Sequence, residues 1–246
     1  MNVVSKKNKT MNNFFLNQAE NKEIFIRNSK SFNFCLEKNS SLYIKNVIFK
    51  PDNNVINISG NFKEKSIFKY VIADFSPGNT SLNINLDLGN PGLQVDVSIF
   101  CLSFKDNQKK FNICLNNKNK NIKTNIDSFG IAFDQSKIHF LNTCIAQKKS
   151  KKNILSQKGK IIIFDKKATG SIQPILKIFE NDVSATHNAS IGYFNNDYFF
   201  YLLSRGLKTT DIKKMLINGF LRQASRFFDK NVNEEINEVV KKYVQC

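Results

Sequence analysis

The sequence predicts a mainly β body followed by a small C-terminal helical subdomain, and three observations carry that reading. Between about residues 23 and 165, apolar side chains recur at every second position, the signature of strands with one buried face. Clusters of Pro, Gly, Asn and Asp punctuate those runs at short intervals. After Gly192 the apolar period changes from two to about 3.6, which marks a switch from strands to helices.

Along the body, Phe32, Phe34 and Leu36 form the first clear alternation. Leu82, Ile84, Leu86 and Leu88 then alternate with Asn83, Asn85 and Asp87. Leu93, Val95, Val97 and Ile99, and then Phe111, Ile113 and Leu115, repeat the pattern. Turns are expected at Pro51-Asp52-Asn53-Asn54, Ser76-Pro77-Gly78-Asn79 and Gly89-Asn90-Pro91-Gly92. Strands of this length and spacing build a sandwich, a barrel or a solenoid, and periodicity does not choose among them. No strict repeat is legible, although Asn in the middle of the runs suits the outer face or corners of a solenoid.

Three helices complete the chain. The first starts at an Asn195-Asn196-Asp197 cap and stops at Arg205-Gly206, with Gly206 in the left-handed terminal position. The second is expected to be capped by Thr209 or Thr210 and presents Ile212, Met215, Leu216, Phe220 and Phe227 at helical spacing. The third carries Val232, Ile236, Val239 and Tyr243 on one face, with Asn231 and Glu234 spaced as a capping box.

Composition limits the chemistry. Of 246 residues, 41% are hydrophobic and 23 are Phe, enough apolar surface for a substantial core. The formal net charge of +17 comes mostly from Lys spread along the whole chain together with abundant Asn and Ile, which a base-biased genome produces without selection for an anionic partner. The densest run, Lys148-Lys149-Ser150-Lys151-Lys152, reads as a solvated loop. Cys35, Cys101, Cys114, Cys144 and Cys246 contain no C-x-x-C pair, and the three on predicted strands, Cys101, Cys114 and Cys144, are expected in the core. With His139 and His187 as the only histidines, a self-sufficient metal site is not expected. Glu180 and Asp182, two apart on a predicted strand, share a face but lack a partner base, so hydrolase chemistry is not supported. Neither a membrane span nor a secretory signal is visible, and a cytoplasmic protein is expected.

The junction of body and tail is the most specific stretch. It reads Gln173-Pro174-Ile175-Leu176-Lys177-Ile178, then Asn181-Asp182-Val183-Ser184-Ala185-Thr186-His187-Asn188-Ala189-Ser190-Ile191-Gly192. Phe199-Phe200-Tyr201-Leu202, Ser204-Arg205-Gly206-Leu207 and Leu216-Ile217-Asn218-Gly219-Phe220 follow in unbroken register. This succession resembles the SufB/SufD family of iron-sulfur cluster assembly proteins. Ser204-Arg205-Gly206 and Ile191-Gly192 look like the SufD branch, in a short form.

The resemblance implies a right-handed parallel β-helix core with flanking helices, divided here into an N-terminal polar or helical remnant (1–22), a β-helix core (23–192) and a helical subdomain (193–246). It implies a non-catalytic scaffold that pairs with SufB through the core and with the ATPase SufC through the C-terminal helices, transmitting ATP-driven motion. On that basis Tyr198, Phe199, Phe200, Leu202, Leu203, Arg205, Leu216 and Phe220 are candidates for SufC docking. His187 is the candidate iron or cluster ligand, shared with SufB, because Ala185 stands where the SufD motif has cysteine. No cofactor is expected to be held independently: a transient cluster forms at the SufB interface, and flavin association stays open. The alternatives are a SufB-type scaffold, or a basic β-solenoid binding an acidic polymer or nucleic acid, which charge alone supports.

Overall fold

In the computed structural model, residues 12–28, 30–194 and 196–244 are described. The odd-numbered strands are β1 (Asn12–Leu16), β3 (Phe32–Leu36), β5 (Asn54–Phe62), β7 (Thr80–Leu88), β9 (Gln108–Asn117), β11 (Lys137–Ala146) and β13 (Thr169–Ile178). Alternating with them are β2 (Asn21–Arg27), β4 (Ser41–Ile48), β6 (Ile67–Asp74), β8 (Gln94–Ser103), β10 (Lys123–Ala132), β12 (Asn153–Ile163) and β14 (Val183–Tyr193). The odd strands form one seven-stranded sheet and the even strands another, each in sequence order and paired in parallel. Each coil therefore lays one strand on either side of a shared lumen, which makes a parallel β-solenoid.

Alternation decides the inside. Phe32, Ile58, Ile84, Ile113 and Phe140 from one sheet meet Ile44, Tyr70, Val97 and Ile126 from the other in a single core cluster. A slip of one residue would turn each of these sets to solvent, so the hydrophobic pattern fixes the register.

The lumen also carries a buried charge pair. Lys109 and Asp74 are both 0% exposed. Lys109 Nζ donates to Asp74 Oδ1 at 2.9 Å, to the Ser76 carbonyl at 2.9 Å and to the Ser76 hydroxyl at 2.8 Å, with Thr80 Oγ1 at 3.4 Å. The Ser76 amide and hydroxyl donate to the same Asp74 oxygen, at 3.0 and 2.7 Å. The ammonium group is thus fully satisfied, while Asp74 Oδ2 is buried without a partner among the described residues. Beside this pair, burial pushes the Cys101 thiol well up, Asp74 adds to the rise and Lys109 opposes it.

The two outer faces differ. On the odd sheet, asparagines stack from coil to coil: Asn112 donates to Asn83 at 3.0 Å, Asn83 to Asn57 at 3.2 Å, and Asn116 to Asp87 at 2.8 Å. These are the mid-run asparagines of the sequence, and they lie on the outer face as expected. The outer face of the even sheet is apolar instead: Val47, Val71, Ala73, Phe100, Leu102 and Ile131 are buried beneath the C-terminal helices.

From β4 onward, every even strand is followed at once by phenylalanine: Phe49, Phe75, Phe104, Phe133, Phe164 and Phe194. The rings of the last four pack along one corner, with centroids 4.9 Å apart for Phe104 and Phe133, 5.4 Å for Phe133 and Phe164, and 5.8 Å for Phe164 and Phe194. This column is the repeat that inspection of the sequence did not reveal. The coils lengthen along the chain, so no constant period exists: Phe32 pairs with Asn12, 20 positions back, and Ile172 pairs with Phe140, 32 positions back.

The tail comprises α1 (Asn196–Ser204), α2 (Thr209–Ser225) and α3 (Lys230–Val244). At the end of α1, Gly206 has φ +85°, its amide donates to the Leu203 carbonyl and the Leu207 amide to Leu202, a Schellman stop that needs a residue free of Cβ strain. Helix α2 buries Ile217, Phe220, Leu221 and Ala224 against the even sheet, with Phe220 edge-on to Phe100 at 6.1 Å. Helix α3 continues across that sheet to the opposite end, where Arg27 of β2 grips Glu235 with both guanidinium nitrogens.

Several local expectations change. Residues 12–22 carry β1 and the start of β2 rather than a polar or helical remnant, because Phe14 and Leu16 align with Phe34 and Leu36 on the neighbouring coil; residues 1–11, like Asn195 of the first cap and Cys246, lie outside the described residues. Helix α2 begins at Thr209 after an extended Lys208 with no side-chain cap, so neither Thr209 nor Thr210 caps it. It ends at Ser225, before Phe227. Asp229, not the Asn231 and Glu234 pair, caps α3: its Oδ1 accepts the Val232 amide at 2.9 Å. Cys101 and Cys144 are core thiols, but Cys114 lies half-buried on the outer face of β9.

Candidate functional site

The sheets run out at the C-terminal end of the solenoid. There β13 is the last strand of one sheet and β14 the last of the other. Each leaves an edge of backbone groups with no strand beyond it among the described residues, a surface suited to pairing with another chain. Exposed apolar side chains gather at the same end: Ile178, Phe179, Ile191 and Tyr193 on or beside these strands.

Register determines what β14 presents. Val183, Ala185 and His187 align with Asn153, Leu155 and Gln157 of β12 and so share their lumen-facing side. Leu155 and Gln157 are covered by the next coil, whereas Ala185 is half-buried and His187 is exposed because no further coil covers them. His187 therefore stands at the mouth of the lumen. Its ladder column continues inward through Gln157 to Ile126.

The floor beneath His187 is polar. Gln157, 1% exposed, donates from Nε2 to the carbonyls of Asn142 and Ile175, each at 3.2 Å. Asn142 donates to Ser128 Oγ at 3.1 Å. Gln157 Oε1 and Asn142 Oδ1 are buried with no hydrogen-bond partner among the described residues. The Cys144 thiol lies in this group, and burial pushes its pKa up to about 11, against lowering by hydrogen bonds to Gln157 and Thr124.

The turn before β14 corrects another expectation. Glu180 and Asp182 lie between β13 and β14 rather than on one strand face. The Glu180 carboxylate accepts the amides of Lys149 and Asn181, both at 3.0 Å, and the Asp182 carbonyl accepts that of Lys152 at 2.6 Å. Both residues stitch this turn to the preceding one, within the Lys148–Lys152 loop that the sequence anticipated.

The tail residues separate into two groups. Tyr198 and Phe200 are 66% and 65% exposed, and Arg205 is exposed with its guanidinium 5.2 Å from the Tyr201 ring centre. Phe199 is half-buried and edge-on to Phe164 and Phe194, which docks α1 on the phenylalanine column. Leu202, Leu203 and Leu216 are half-buried, and Phe220 is core. Only the first group offers side chains to a partner; Phe220 holds α2 to the even sheet.

The description "SUF system FeS cluster assembly, SufBD core domain" belongs to the family model that matches residues 7–220. The chain belongs to this SufBD family. Among curated relatives, the iron-sulfur cluster assembly protein SufD of Bacillus subtilis is 38% identical over 65 residues, 26% of this chain and 15% of that protein. A SufBD family protein of Staphylococcus saprophyticus is 23% identical over 124 residues, covering 50% of this chain and 27% of its own. SufB of Bacillus subtilis is 26% identical over 80 residues, covering 32% and 17%. The chain thus spans less than a third of the length of each of these SufBD relatives.

For a SufBD chain the donor set is sparse. Among the described residues no three His, Cys, Asp or Glu side chains group as a metal site, and Ala185 offers no donor. His187 is the one imidazole at the open end. No helix among them is long and apolar enough to cross a membrane. Gln157 and Asn142 went unnoticed in the sequence, where a polar residue at an inward strand position looks like one at an outward position until register is known.

Proposed function

We propose that this chain is a SufD-like, non-catalytic scaffold subunit that assembles with a SufB-type partner and the ATPase SufC to build iron-sulfur clusters. The carrying observation is His187, lumen-facing yet exposed on the terminal strand of a SufBD solenoid in which no three metal-ligating side chains group together among the described residues. A lone imidazole at an unpaired sheet end contributes one ligand to a site that a second chain completes. The nascent cluster is the cargo of that shared site.

In this reading SufB pairs with the edges of β13 and β14, and Ile178, Phe179, Ile191 and Tyr193 supply apolar contact. SufC takes the exposed face of α1, with Tyr198 and Phe200 as aromatic anchors and Arg205 beside them. Leu202 and Leu203 are the half-buried residues of the same helix, while Leu216 and Phe220 pack α2 on the even sheet. Motion imposed on α1 reaches the solenoid end through Phe199, because its ring packs on Phe164 and Phe194 at the ends of β12 and β14. Such coupling acts through contacts that differ between two states of SufC.

The test is co-expression with SufB and SufC, size-exclusion chromatography, and iron and sulfide analysis of the complex. A ternary complex is expected, with His187→Ala lowering iron and sulfide content without dissociating it, and Tyr198→Asp/Phe200→Asp releasing SufC alone. Absence of any complex overturns the scaffold reading. Undiminished iron in His187→Ala removes the ligand role, and retention of SufC by the aromatic double variant removes the docking face.

A further inference from the structure

We infer that Gln157 is a positioning residue that fixes the tautomer of His187, accepting the imidazole Nδ1–H on its side-chain carbonyl so that Nε2 faces the open end with a free lone pair. The inference rests on the ligand role of His187 stated above and deepens it.

Three observations carry it. The first is register: Gln157 and His187 are direct ladder neighbours on adjacent parallel strands and share the lumen-facing side. Side chains so placed are within contact distance across one strand spacing of about 4.8 Å.

The second is the orientation of the Gln157 amide. Its nitrogen faces two carbonyl oxygens, those of Asn142 and Ile175, which accept and cannot donate. That arrangement fixes which end of the amide is nitrogen and leaves Oε1 as the free end.

The third is that Oε1 is buried in a side chain 1% exposed and has no partner among the described residues, His187 included, so the bond to the imidazole forms on a turn of the exposed His187 ring. A buried carbonyl without a donor is costly, and an imidazole N–H one rung away is the donor that would satisfy it. An imidazole that donates one N–H to a fixed carbonyl holds a single neutral tautomer and presents its other nitrogen as a ligand. Nδ1 lies next to the strand and Nε2 at the tip of the ring, so donation from Nδ1 leaves the outward atom free.

A histidine without this constraint favours the Nε2–H form, so the inference predicts an inversion that can be read directly. The measurement is the long-range 1H–15N correlation of ring protons in 15N-histidine-labelled full chain, at a pH where imidazole is neutral. His187 and His139 are the only histidines, His187→Ala assigns the signals, and His139 on the outer face of β11 is the internal reference. In the wild type, the His187 tautomer ratio is expected to shift roughly tenfold toward Nδ1–H, the bias that one hydrogen bond supplies, enough to make that form the major one. Gln157→Met should return it to the Nε2–H preference, and Gln157→Glu, which retains an acceptor, should keep the inversion.

A wild-type His187 in the Nε2–H form overturns the inference whether or not either variant folds. Persistence of the Nδ1–H form in Gln157→Met does the same. The iron measurement on the complex judges the ligand role separately. If His187→Ala leaves iron intact while the tautomer inverts as stated, the ligand reading fails and the positioning of His187 by Gln157 stands.

Discussion

Replacing Lys109 with methionine should destabilise the solenoid more than any surface change, and the reason is electrostatic. Lys109 and Asp74 are both fully buried, and the ammonium group makes close contacts with Asp74 Oδ1 and with the carbonyl and hydroxyl of Ser76. Methionine fills nearly the same volume, so lost packing is a minor part of the effect. What remains is a carboxylate held in the core by the Ser76 amide and hydroxyl alone, with its second oxygen already unpartnered. Removing one member of a buried ion pair costs about 3–5 kcal/mol. For a chain of this size that corresponds to a fall of roughly 10 °C in Tm. Urea denaturation, read as a change in midpoint at constant slope, measures the loss. The double variant Lys109→Met/Asp74→Asn removes the stranded charge while keeping an acceptor for Ser76, and should recover more than half of it. If the double variant is as unstable as the single one, or if Lys109→Met costs less than about 1 kcal/mol, the charge account is wrong.

Three further outcomes follow from the structure. The Glu235 carboxyl is held below its usual range chiefly by its hydrogen bond to Arg27, so the contribution of this pair is present above the unfolded carboxylate pKa and lost as pH falls through the lowered folded value; amide exchange should show α3 losing protection in acid before β4–β12, and an unchanged order would count against it. A Cβ on Gly60 would sit 2.3 Å from the Phe34 ring, which stacks on Phe68 at 4.3 Å, so Gly60→Ala should cost about 1–3 kcal/mol in urea denaturation, and a neutral effect would show that Phe34 moves freely. In a Cys246→Ser background at pH 8, an aromatic disulfide reagent should reach the half-buried Cys35 and Cys114 in the native protein and Cys101 and Cys144 only on unfolding, because the latter two thiols are closed off from solvent; four equally fast thiols would refute the placement.

The odd-numbered strands were legible because each has one wet face and one dry face. Leu82, Ile84, Leu86 and Leu88 point to the lumen and Asn83, Asn85 and Asp87 outward, as alternation predicts. The choice of a solenoid was not available from that pattern, since sandwiches and barrels alternate in the same way, and it came from the likeness at residues 173–220. Phe104, Phe133 and Phe164 escaped notice as a repeat because the intervening segments differ in length. The helix caps were misplaced for a local reason: Asp229 lies one residue before α3, whereas Asn231 and Glu234 lie inside it and mimic the capping pattern. At the open end, His187 was visible through its motif. Gln157 was not, because its place beside His187 depends on the register of residues 30 positions apart on adjacent coils.

The return of α3 to the first coils changes how this stack should come apart. A plain solenoid unravels from its ends like a roll of independent layers, each held only by its neighbours. Here Glu235, near the chain's end, is fastened to Arg27, near its beginning, and Val232 and Ile236 pack in the same apolar layer as Val47. Peeling the first coil removes the anchor of the last helix, and lifting the last helix bares the apolar back of the coils in between. Fraying is thereby penalised at both ends together, so the seven layers and their helical brace should melt as one cooperative unit.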